Sequence, residues 1–274
     1  MDKAVKAYAN ADFLNSPAAR TIRILAEYSE PERRFKKYNI KDTIVFFGSA
    51  RIVSPEQARE NLDRIRRQVQ EGKRGSAKLS AELRRAETDL KASKYYADAV
   101  SLASMITRWS KELFNRRKRQ GRRFIICSGG GPGIMEAANR GASEAGGLSI
   151  GLNISLPFEQ VQNPYSSREL TFEFHYFFIR KFWFVYLAKA MVIFPGGFGT
   201  IDEMMELLTL IQTNKTTKPV PVIIYGTDYW KNIINFDALA DMGMISPEDL
   251  DLFHFCDTPE EAFSYLKTEL DRLL

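Results

Sequence analysis

The sequence contains little cysteine and little histidine, with two residues of each among 274. Cys127 and Cys256 are too few for a disulfide framework, and they show no cysteine-based metal motif. Each ends an apolar run, so we expect both to be small buried hydrophobic residues in a reducing compartment. His175 and His254 stand apart in the sequence as structural histidines. We therefore expect no metal site.

A long uninterrupted hydrophobic run is also absent. The most hydrophobic stretch, residues 172–194, is interrupted by Glu173, His175, Arg180, Lys181 and Lys189. Ionisable side chains are costly inside a bilayer, so we interpret this stretch as protein core and expect no membrane partner. The first residues carry charges from Asp2 onward and lack the apolar segment of a signal peptide. We therefore expect a cytoplasmic protein.

The positive charge of the chain is concentrated in one segment. The net charge is +5, whereas residues 108–123 alone hold eight basic residues and one acid, Glu112. Such a run can contact nucleic acid, but basic side chains in the last turns of a helix also complement the helix dipole and keep the surface soluble. No nucleic-acid-binding motif accompanies the run. We therefore favour the second interpretation and expect no nucleic-acid partner.

Short apolar runs alternate with helical patterns along much of the chain. Five runs are typical of fully buried strands, at residues 44–47, 124–127, 148–154, 191–194 and 222–225. In a sixth segment Leu170, Phe172 and Phe174 alternate with polar residues, which predicts a strand with one wetter face. Glycine-bearing turns follow most of these runs. The sequence thus predicts an α/β fold with a doubly wound, mostly parallel, Rossmann-like sheet and helices on both faces.

A helical arm is predicted over residues 1–40. Ser16 can cap a helix, and Pro17 suits its first position. Ile22, Leu25 and Ala26 form one apolar stripe, and we expect Pro31 and the basic run after it to end the arm.

Residues 41–274 are predicted to form one Rossmann-like catalytic domain with a helical insertion at about 55–121. The earlier part of the insertion has the composition of a solvated helical hairpin that turns near Gly72 and Gly75. Its last helix has apolar residues three and four positions apart, which predicts one buried stripe. This stripe consists of Tyr95, Ala99, Leu102, Ile106, Trp109 and Leu113.

Glycine-rich turns follow three of the predicted strands. The largest are the segment from Ser128 to Met135, with Gly129, Gly130 and Gly131, and the segment from Pro195 to Thr200, with Gly196, Gly197 and Gly199. Glycine lets the backbone approach a ligand closely, and a helix N-terminus presents free N–H groups to an anion. The third turn contains Gly48 and Ser49. Because parallel strands place these turns at one edge of the sheet, we expect a phosphate site there.

Two common nucleotide-binding motifs do not fit these turns. A Walker A motif needs a lysine that neither large turn supplies. The dinucleotide fingerprint counted from Gly129 has Ile134 at its sixth position, and the next strand does not end in the acid that binds ribose. The sequence therefore favours neither a P-loop NTPase nor an NAD enzyme.

Two cationic residues, Arg180 and Lys181, fall in the first turns of an aromatic-rich helix that begins at Phe177. Positive charge opposes the helix dipole at that end, which favours a nearby anion. The side chains could also extend to solvent. The neighbouring aromatic residues could line a base pocket, although such a stripe is more often core. They are Phe177, Phe178, Phe182 and Trp183.

The chain resembles the Lonely Guy (LOG) family. The resemblance rests on Arg180-Lys181 followed by the segment Pro195-Gly-Gly-Phe-Gly-Thr-Ile-Asp-Glu203, and it extends over about residues 43–225 outside the insertion. Members of this family, formerly mislabelled lysine decarboxylases, are nucleoside 5'-monophosphate phosphoribohydrolases. The extra length resembles that of the longer bacterial branch. Short members often have histidine where Phe178 stands, and this departure bears on base preference.

The resemblance implies an enzyme that hydrolyses AMP or a cytokinin riboside monophosphate to the free base and ribose 5-phosphate without a cofactor. It assigns Arg180 and Glu203 as catalytic residues and implies a homodimer or larger homo-oligomer. The residues predicted to bind substrate and phosphate are Gly48, Ser49, Gly129, Gly130, Gly131, Met135, Lys181, Gly196, Gly197, Gly199, Thr200 and Asp202.

Residue chemistry agrees with this assignment but leaves an alternative open. A carboxylate such as Glu203 can stabilise the oxocarbenium character that develops when a ribosyl C–N bond breaks. The guanidinium of Arg180 can contact phosphate or the leaving base. An acid in the first turn of a helix is also ordinary, however. The alternative is a non-catalytic carrier or sensor that binds a phosphorylated nucleotide or pterin on the same turns.

Overall fold

The computed structural model describes residues 3–70, 77–116, 121–156, 162–216 and 218–274. The strands within these ranges are β1 (Thr43–Phe47), β2 (Ile125–Ser128), β3 (Ser149–Ile154), β4 (Thr171–Phe174), β5 (Ala188–Ile193), β6 (Val222–Tyr225) and β7 (His254–Cys256). The α-helices are α1 (Ala11–Asn15), α2 (Arg20–Lys37), α3 (Pro55–Gln70), α4 (Ala77–Arg116), α5 (Ile134–Glu144), α6 (Phe177–Tyr186), α7 (Phe198–Gln212), α8 (Thr227–Ile233), α9 (Phe236–Asp241) and α10 (Pro259–Asp271).

The seven strands pair in the order β4-β3-β2-β1-β5-β6-β7, and every pairing is parallel. The chain builds outward from β1 to β4 and then crosses to the other side of β1 with β5. Connections after β1 and β5 therefore diverge, and parallel sheets bind ligands in the crevice that such a reversal opens. This topology confirms the predicted doubly wound α/β fold. The short strand β7 was not predicted.

Helices cover both faces of the sheet. On one face α4, α5 and α10 pack against side chains such as Ile44 and Phe46. On the other face α2, α6, α7 and α8 pack against Val45 and Phe47. Because neighbouring residues of β1 alternate between the two layers, the strand is buried throughout. Both cysteines are buried, as expected. Within the described ranges, every helix is too short or too polar to span a bilayer.

The N-terminal arm is helical and ends in the basic run, but Pro31 does not end it. Helix α2 continues through Pro31 to Lys37. Proline removes the N–H that would donate to the carbonyl of Glu27, and this oxygen instead accepts the indole N–H of Trp183 at 3.2 Å. The predicted stripe is also exposed: Ile22 is 46% and Leu25 58% accessible.

The contact surface of α2 lies on another side of the helix. Pro31 and Phe35 are buried, and Ile24 packs against the same core. The Glu27 carboxylate accepts the N–H groups of His175 and Tyr176 at 2.8 and 3.2 Å. These groups precede α6, whose first N–H groups have no partner within the helix. The arm thus fixes the start of the helix that carries Arg180.

The insertion is helical, as predicted, and consists of α3 and α4 packed against each other. In the predicted stripe of α4, Ala99, Leu102 and Ile106 are fully buried in the sheet core. The outer part of the hairpin has a small core of its own around Leu62 and Ile65. The predicted turn at Gly72 and Gly75 lies outside the described residues.

Part of the basic segment is described and makes contacts within the chain. Arg123 forms an ion pair with Asp42, which is 3% exposed. Arg122 donates to the carbonyl of Tyr38 at 2.8 Å and lies over the ring of Phe114. Residues 117–120 lie outside the described ranges. These contacts give two of the basic residues a structural role.

The cap on α6 can be tested by removing the Glu27 carboxylate. We expect Glu27→Ala to lower the free energy of unfolding by about 1–2 kcal/mol, because two N–H groups lose a charged acceptor. Urea denaturation measures the change. Glu32→Ala is the matched control on the same helix, where the carboxylate only pairs with the exposed Lys36. It should change stability by less than about 0.5 kcal/mol. Equal effects of the two variants would contradict a capping role for Glu27.

Candidate active site

A cavity of about 900 Å³ opens at the carboxyl ends of the central strands. It lies at the reversal of strand order, where the turns after β1, β2 and β5 meet. Ten of the residues predicted for the site line it: Gly48, Ser49, Gly129, Met135, Arg180, Gly196, Gly197, Gly199, Thr200 and Glu203. Sequence positions that are far apart are therefore brought to one site by the sheet topology.

Four predicted residues do not line the cavity. Gly130 and Gly131 shape the turn from behind, where their carbonyls accept hydrogen bonds from Asn163 at 2.9 and 3.0 Å. Lys181 and Asp202 bind each other at 2.7 Å. The structure therefore gives these four residues contacts within the protein rather than a place in the cavity wall.

The turn before α7 presents a helix N-terminus to the cavity. Gly197 is the N-cap residue, and no side chain caps the helix. The first N–H groups of a helix have no internal acceptor, so this end can bind an anion. Glycine is required at Gly196, because a Cβ there would lie 2.1 Å from Oγ1 of Thr200. The hydroxyl of Tyr229 donates to the Gly196 carbonyl at 2.8 Å and helps to hold the turn.

The three turns are joined by backbone hydrogen bonds. The N–H of Ser49 donates to the carbonyl of Pro195 at 2.9 Å, and the carbonyl of Ser49 accepts the N–H of Ile134 at 3.1 Å. Gly133 has φ +72°, and a Cβ there would lie 2.3 Å from the Ser49 carbonyl oxygen. The cavity wall is thus one connected backbone structure.

Arg180 and Glu203 face each other at the cavity. One guanidinium nitrogen of Arg180, Nη2, lies 3.9 Å from Oε1 of Glu203, and the side chains are 15% and 5% exposed. This distance is too long for a hydrogen bond. Nε of Arg180 is buried without a hydrogen-bond partner in the described part of the chain. The guanidinium lies over the rings of Phe177 and Phe184. Both ionic groups therefore keep hydrogen-bonding capacity for a ligand.

Burial changes the protonation equilibria of this pair. It raises the pKa of the Glu203 carboxyl to about 7, although the positive charges of Lys181 and Arg180 oppose the change. It also lowers the pKa of Arg180, which the charge of Glu203 partly offsets. A carboxyl with a pKa of about 7 can take up and release a proton at neutral pH, as a general acid or base must. The environment of Glu203 thus suits proton transfer.

Lys181 connects the helices that carry the pair. Its Nζ lies 2.7 Å from Asp202 and 2.6 Å from Glu206, both on α7. Burial opposes the charged form, but these hydrogen bonds raise the pKa of Lys181 above its ordinary value. The unfavourable cation at the start of α6 is therefore compensated by carboxylates of the same protein. Lys181 holds Arg180 and Glu203 in register rather than facing the cavity.

Several cavity residues were not predicted from the sequence. Thr88, Asp89, Ala92 and Tyr95 reach the cavity from α4. They carry no motif, and their position depends on how the insertion folds. Asn153 also lines the cavity and packs against Gly130. Its position, a polar residue near the carboxyl end of a buried strand, would have allowed Asn153 to be predicted from the sequence.

His254 does not stand alone, which corrects the expectation from the sequence. A ring nitrogen of His254, Sγ of Cys256 and a carboxylate oxygen of Glu261 all lie within 4.8 Å of one another. The two strand residues are two positions apart and share one face of β7, which meets the first turn of α10. A carboxylate oxygen of Glu261 accepts the N–H of Asp257 at 3.1 Å.

The raised pKa of Glu203 predicts a pH-dependent contribution to stability. Between pH 4.5, the ordinary pKa of a glutamate, and about pH 7, the unfolded chain releases this proton while the folded chain retains it. The free energy of unfolding therefore falls as pH rises through this window and levels off above it. Glu203→Gln removes this effect, so its stability relative to wild type should rise by roughly 2 kcal/mol between pH 5 and pH 8.

Urea unfolding of both proteins at the two pH values measures this difference. Glu144→Gln, at an exposed position on α5, serves as the control and should show no such change. A stability difference between Glu203→Gln and wild type that is the same at pH 5 and pH 8 would contradict the raised pKa.

Similarity to known proteins includes the part of the chain that carries Arg180 and Glu203. A family model described as "Possible lysine decarboxylase" matches residues 135–266, which include Arg180 and Glu203. Two cytokinin riboside 5'-monophosphate phosphoribohydrolases of Arabidopsis thaliana are similar to the chain. LOG3 is 24% identical over 52% of this chain and 66% of its own length, and LOG5 is 25% identical over 63% and 70%. The chain thus spans about two thirds of the length of these relatives.

Among solved structures, the molybdenum cofactor (Moco) carrier protein from Chlamydomonas reinhardtii is 19% identical. The similarity covers 85% of this chain and 99% of that protein, with a TM-score of 0.45. The family model and the curated relatives agree with the motifs around Arg180 and Glu203. Over residues 135–266, which carry these motifs, the chain is therefore similar to the LOG family.

Proposed function

We propose that this protein hydrolyses the N-glycosidic bond of a nucleoside 5'-monophosphate, releasing the free base and ribose 5-phosphate. The observation that carries the proposal is the buried pair of Arg180 and Glu203, held without a direct hydrogen bond beside an uncapped helix N-terminus. A phosphate-binding turn next to a carboxylate with a pKa of about 7 suits a substrate that has both a phosphate and a bond to hydrolyse.

The turn from Gly196 to Thr200 would bind the 5'-phosphate. The free N–H groups at the start of α7 and the hydroxyl of Thr200 are donors, and the helix dipole favours negative charge there. Glu203 is on the same helix, one turn further on, so a bound phosphate would bring the attached ribose close to its carboxylate. The phosphate therefore acts as the positioning handle of the substrate.

Glu203 and Arg180 would act on the ribosyl bond. Water adds to the anomeric carbon, the C–N bond breaks, and the bonding electrons leave with the base, which gains a proton. The Glu203 carboxylate can stabilise the positive character of the sugar and accept the proton of the attacking water. Arg180 offers a fixed positive charge to the phosphate or to the departing base. The reaction needs only water as a second substrate.

Incubation with AMP tests the proposal directly. We expect wild-type protein to release adenine, detected by chromatography, and Glu203→Ala to lower the rate by at least about 100-fold with the fold intact by circular dichroism. Arg180→Ala should also lower the rate strongly. Glu144→Ala, remote from the cavity, is the control and should retain wild-type activity.

If AMP, CMP, GMP, IMP and UMP all keep their bases, the protein is not a phosphoribohydrolase of these substrates. A pterin or nucleotide that stays tightly bound to the purified protein without turnover would instead support the carrier function.

We also propose that the protein is a homodimer or larger homo-oligomer. Ile22, Leu25 and Tyr28 are exposed on α2, and the Tyr28 ring contacts Phe182, which stacks on the exposed Tyr186. A contiguous apolar patch of this kind is typical of an interaction surface. A second copy of the chain is the proposed occupant, in line with the family resemblance.

Light scattering coupled to size-exclusion chromatography tests the oligomer. We expect Leu25→Glu to shift wild-type oligomers to monomers, because a carboxylate in an apolar interface is costly to bury. Arg33→Glu, an exposed position on the same helix, should leave the mass unchanged. A monomeric wild-type protein, or a Leu25→Glu variant of unchanged mass, would refute this interface.

A further inference from the structure

The insertion hairpin forms a wall of the catalytic cavity. Thr88, Asp89, Ala92 and Tyr95 of α4 line the same space as Glu203 and the phosphate-binding turn. Three of these residues, at positions 88, 92 and 95, follow the spacing of one helix face. The insertion therefore takes part in the site and is more than a surface addition.

This wall is held on both sides. Beyond Tyr95, α4 is anchored in the sheet core by Ala99 and Leu102, which are fully buried. On the outer side, Ala86 packs with Leu62 and Ile65 of α3. The ring of Tyr95 lies edge-on to Tyr225, which is itself buried. Side chains between these two anchors are thus presented to the cavity from a fixed backbone.

Asp89 is distinguished by its lack of a partner. Three acidic residues line the cavity: Asp89, Glu173 and Glu203. Glu203 faces Arg180, and Glu173 accepts hydrogen bonds from Ser155 at 2.8 Å and Gln162 at 3.3 Å. Asp89 is half-buried, and its carboxylate has no hydrogen bond or ion pair with any other described residue. Its acceptor capacity is therefore open to a ligand.

We propose that Asp89 selects the base of the substrate by accepting a hydrogen bond from an exocyclic amino group. The inference rests on the proposed hydrolysis. Asp89 lies on α4, whereas Thr200 of the proposed phosphate turn and Glu203 lie on α7. A carboxylate also repels phosphate, so we place the base rather than the phosphate at Asp89. The substrate class is then a 5'-monophosphate of an amino-bearing base, such as adenine or cytosine. With an oxo group at the same position, the base oxygen and the Asp89 carboxylate would both be acceptors, and no proton would lie between them.

AMP and IMP provide the sharpest comparison, because they differ at one position where AMP has an amino group and IMP an oxo group. We expect wild type to favour AMP by roughly 10- to 100-fold in kcat/KM, in the range of a hydrogen bond to a charged group. In Asp89→Asn, which keeps the shape and can both donate and accept, the ratio should fall towards 1. The loss should come mainly from KM for AMP, since Asp89 does not contact the bond that breaks.

Glu87→Gln is the matched control. Glu87 is two positions from Asp89 on α4 but points to α3, where it lies 3.7 Å from Arg66. It carries the same charge change and should leave the AMP to IMP ratio unchanged. Equal losses for AMP and IMP in Asp89→Asn, or no change at all, would overturn the selection role and indicate a contact with ribose or a structural function.

Failure of the hydrolysis proposal would be seen separately. If wild type hydrolyses no monophosphate, binding of AMP and IMP is compared by the rise in melting temperature that each ligand causes. A preference for AMP that Asp89→Asn removes supports base selection without catalysis. Equal stabilisation of wild type by AMP and IMP, or a preference that survives in Asp89→Asn, overturns it.

Discussion

The parallel pairing of β1 with β2 on one side and β5 on the other is the constraint on which the site depends. It places the turns after all three strands at one edge of the sheet, and the change of direction between them leaves a crevice. Backbone hydrogen bonds from Ser49 to Pro195 and from Ile134 to Ser49 then join the turns. A defect in this pairing would separate the glycine turn after β5 from the rest of the cavity. The geometry of the cavity therefore depends directly on the strand order of the sheet.

Burial of charge sets the second constraint. Arg180 and Glu203 lose hydration in the cavity wall, and at 3.9 Å they recover only part of that cost from each other. The structure compensates around them through Lys181, which binds two carboxylates of α7, and through the aromatic rings beside Arg180. The pair is thus held in place by neighbours rather than by its own hydrogen bonds. The guanidinium of Arg180 and the carboxyl of Glu203 therefore keep unused hydrogen-bonding capacity where a ligand can bind.

Features that depend on local sequence were predictable, and features that depend on distant contacts were not. The buried strands, the glycine turns and the pair of Arg180 and Glu203 follow from runs and motifs of a few residues. Pro31 could not be placed correctly, because its lost hydrogen bond is replaced by Trp183, far along the chain. The apolar stripe with Ile22 and Leu25 is exposed, because periodicity alone does not show which face of a helix meets the core.

The cavity shows the same division between local and distant information. Glycine-rich turns can be recognised from composition. Asp89, in contrast, is one of many acidic residues in a charged helix, and its place at the cavity depends on how α4 packs over the sheet edge. The family model covers residues 135–266 and therefore contains Arg180, Glu203 and the glycine turn before α7, but not the insertion. On the proposed function, chemistry and selectivity would thus rest on separate parts of the chain. If loops and insertions choose the ligand while the sheet edge performs the reaction, base preference can differ from that of a relative although the reaction is the same.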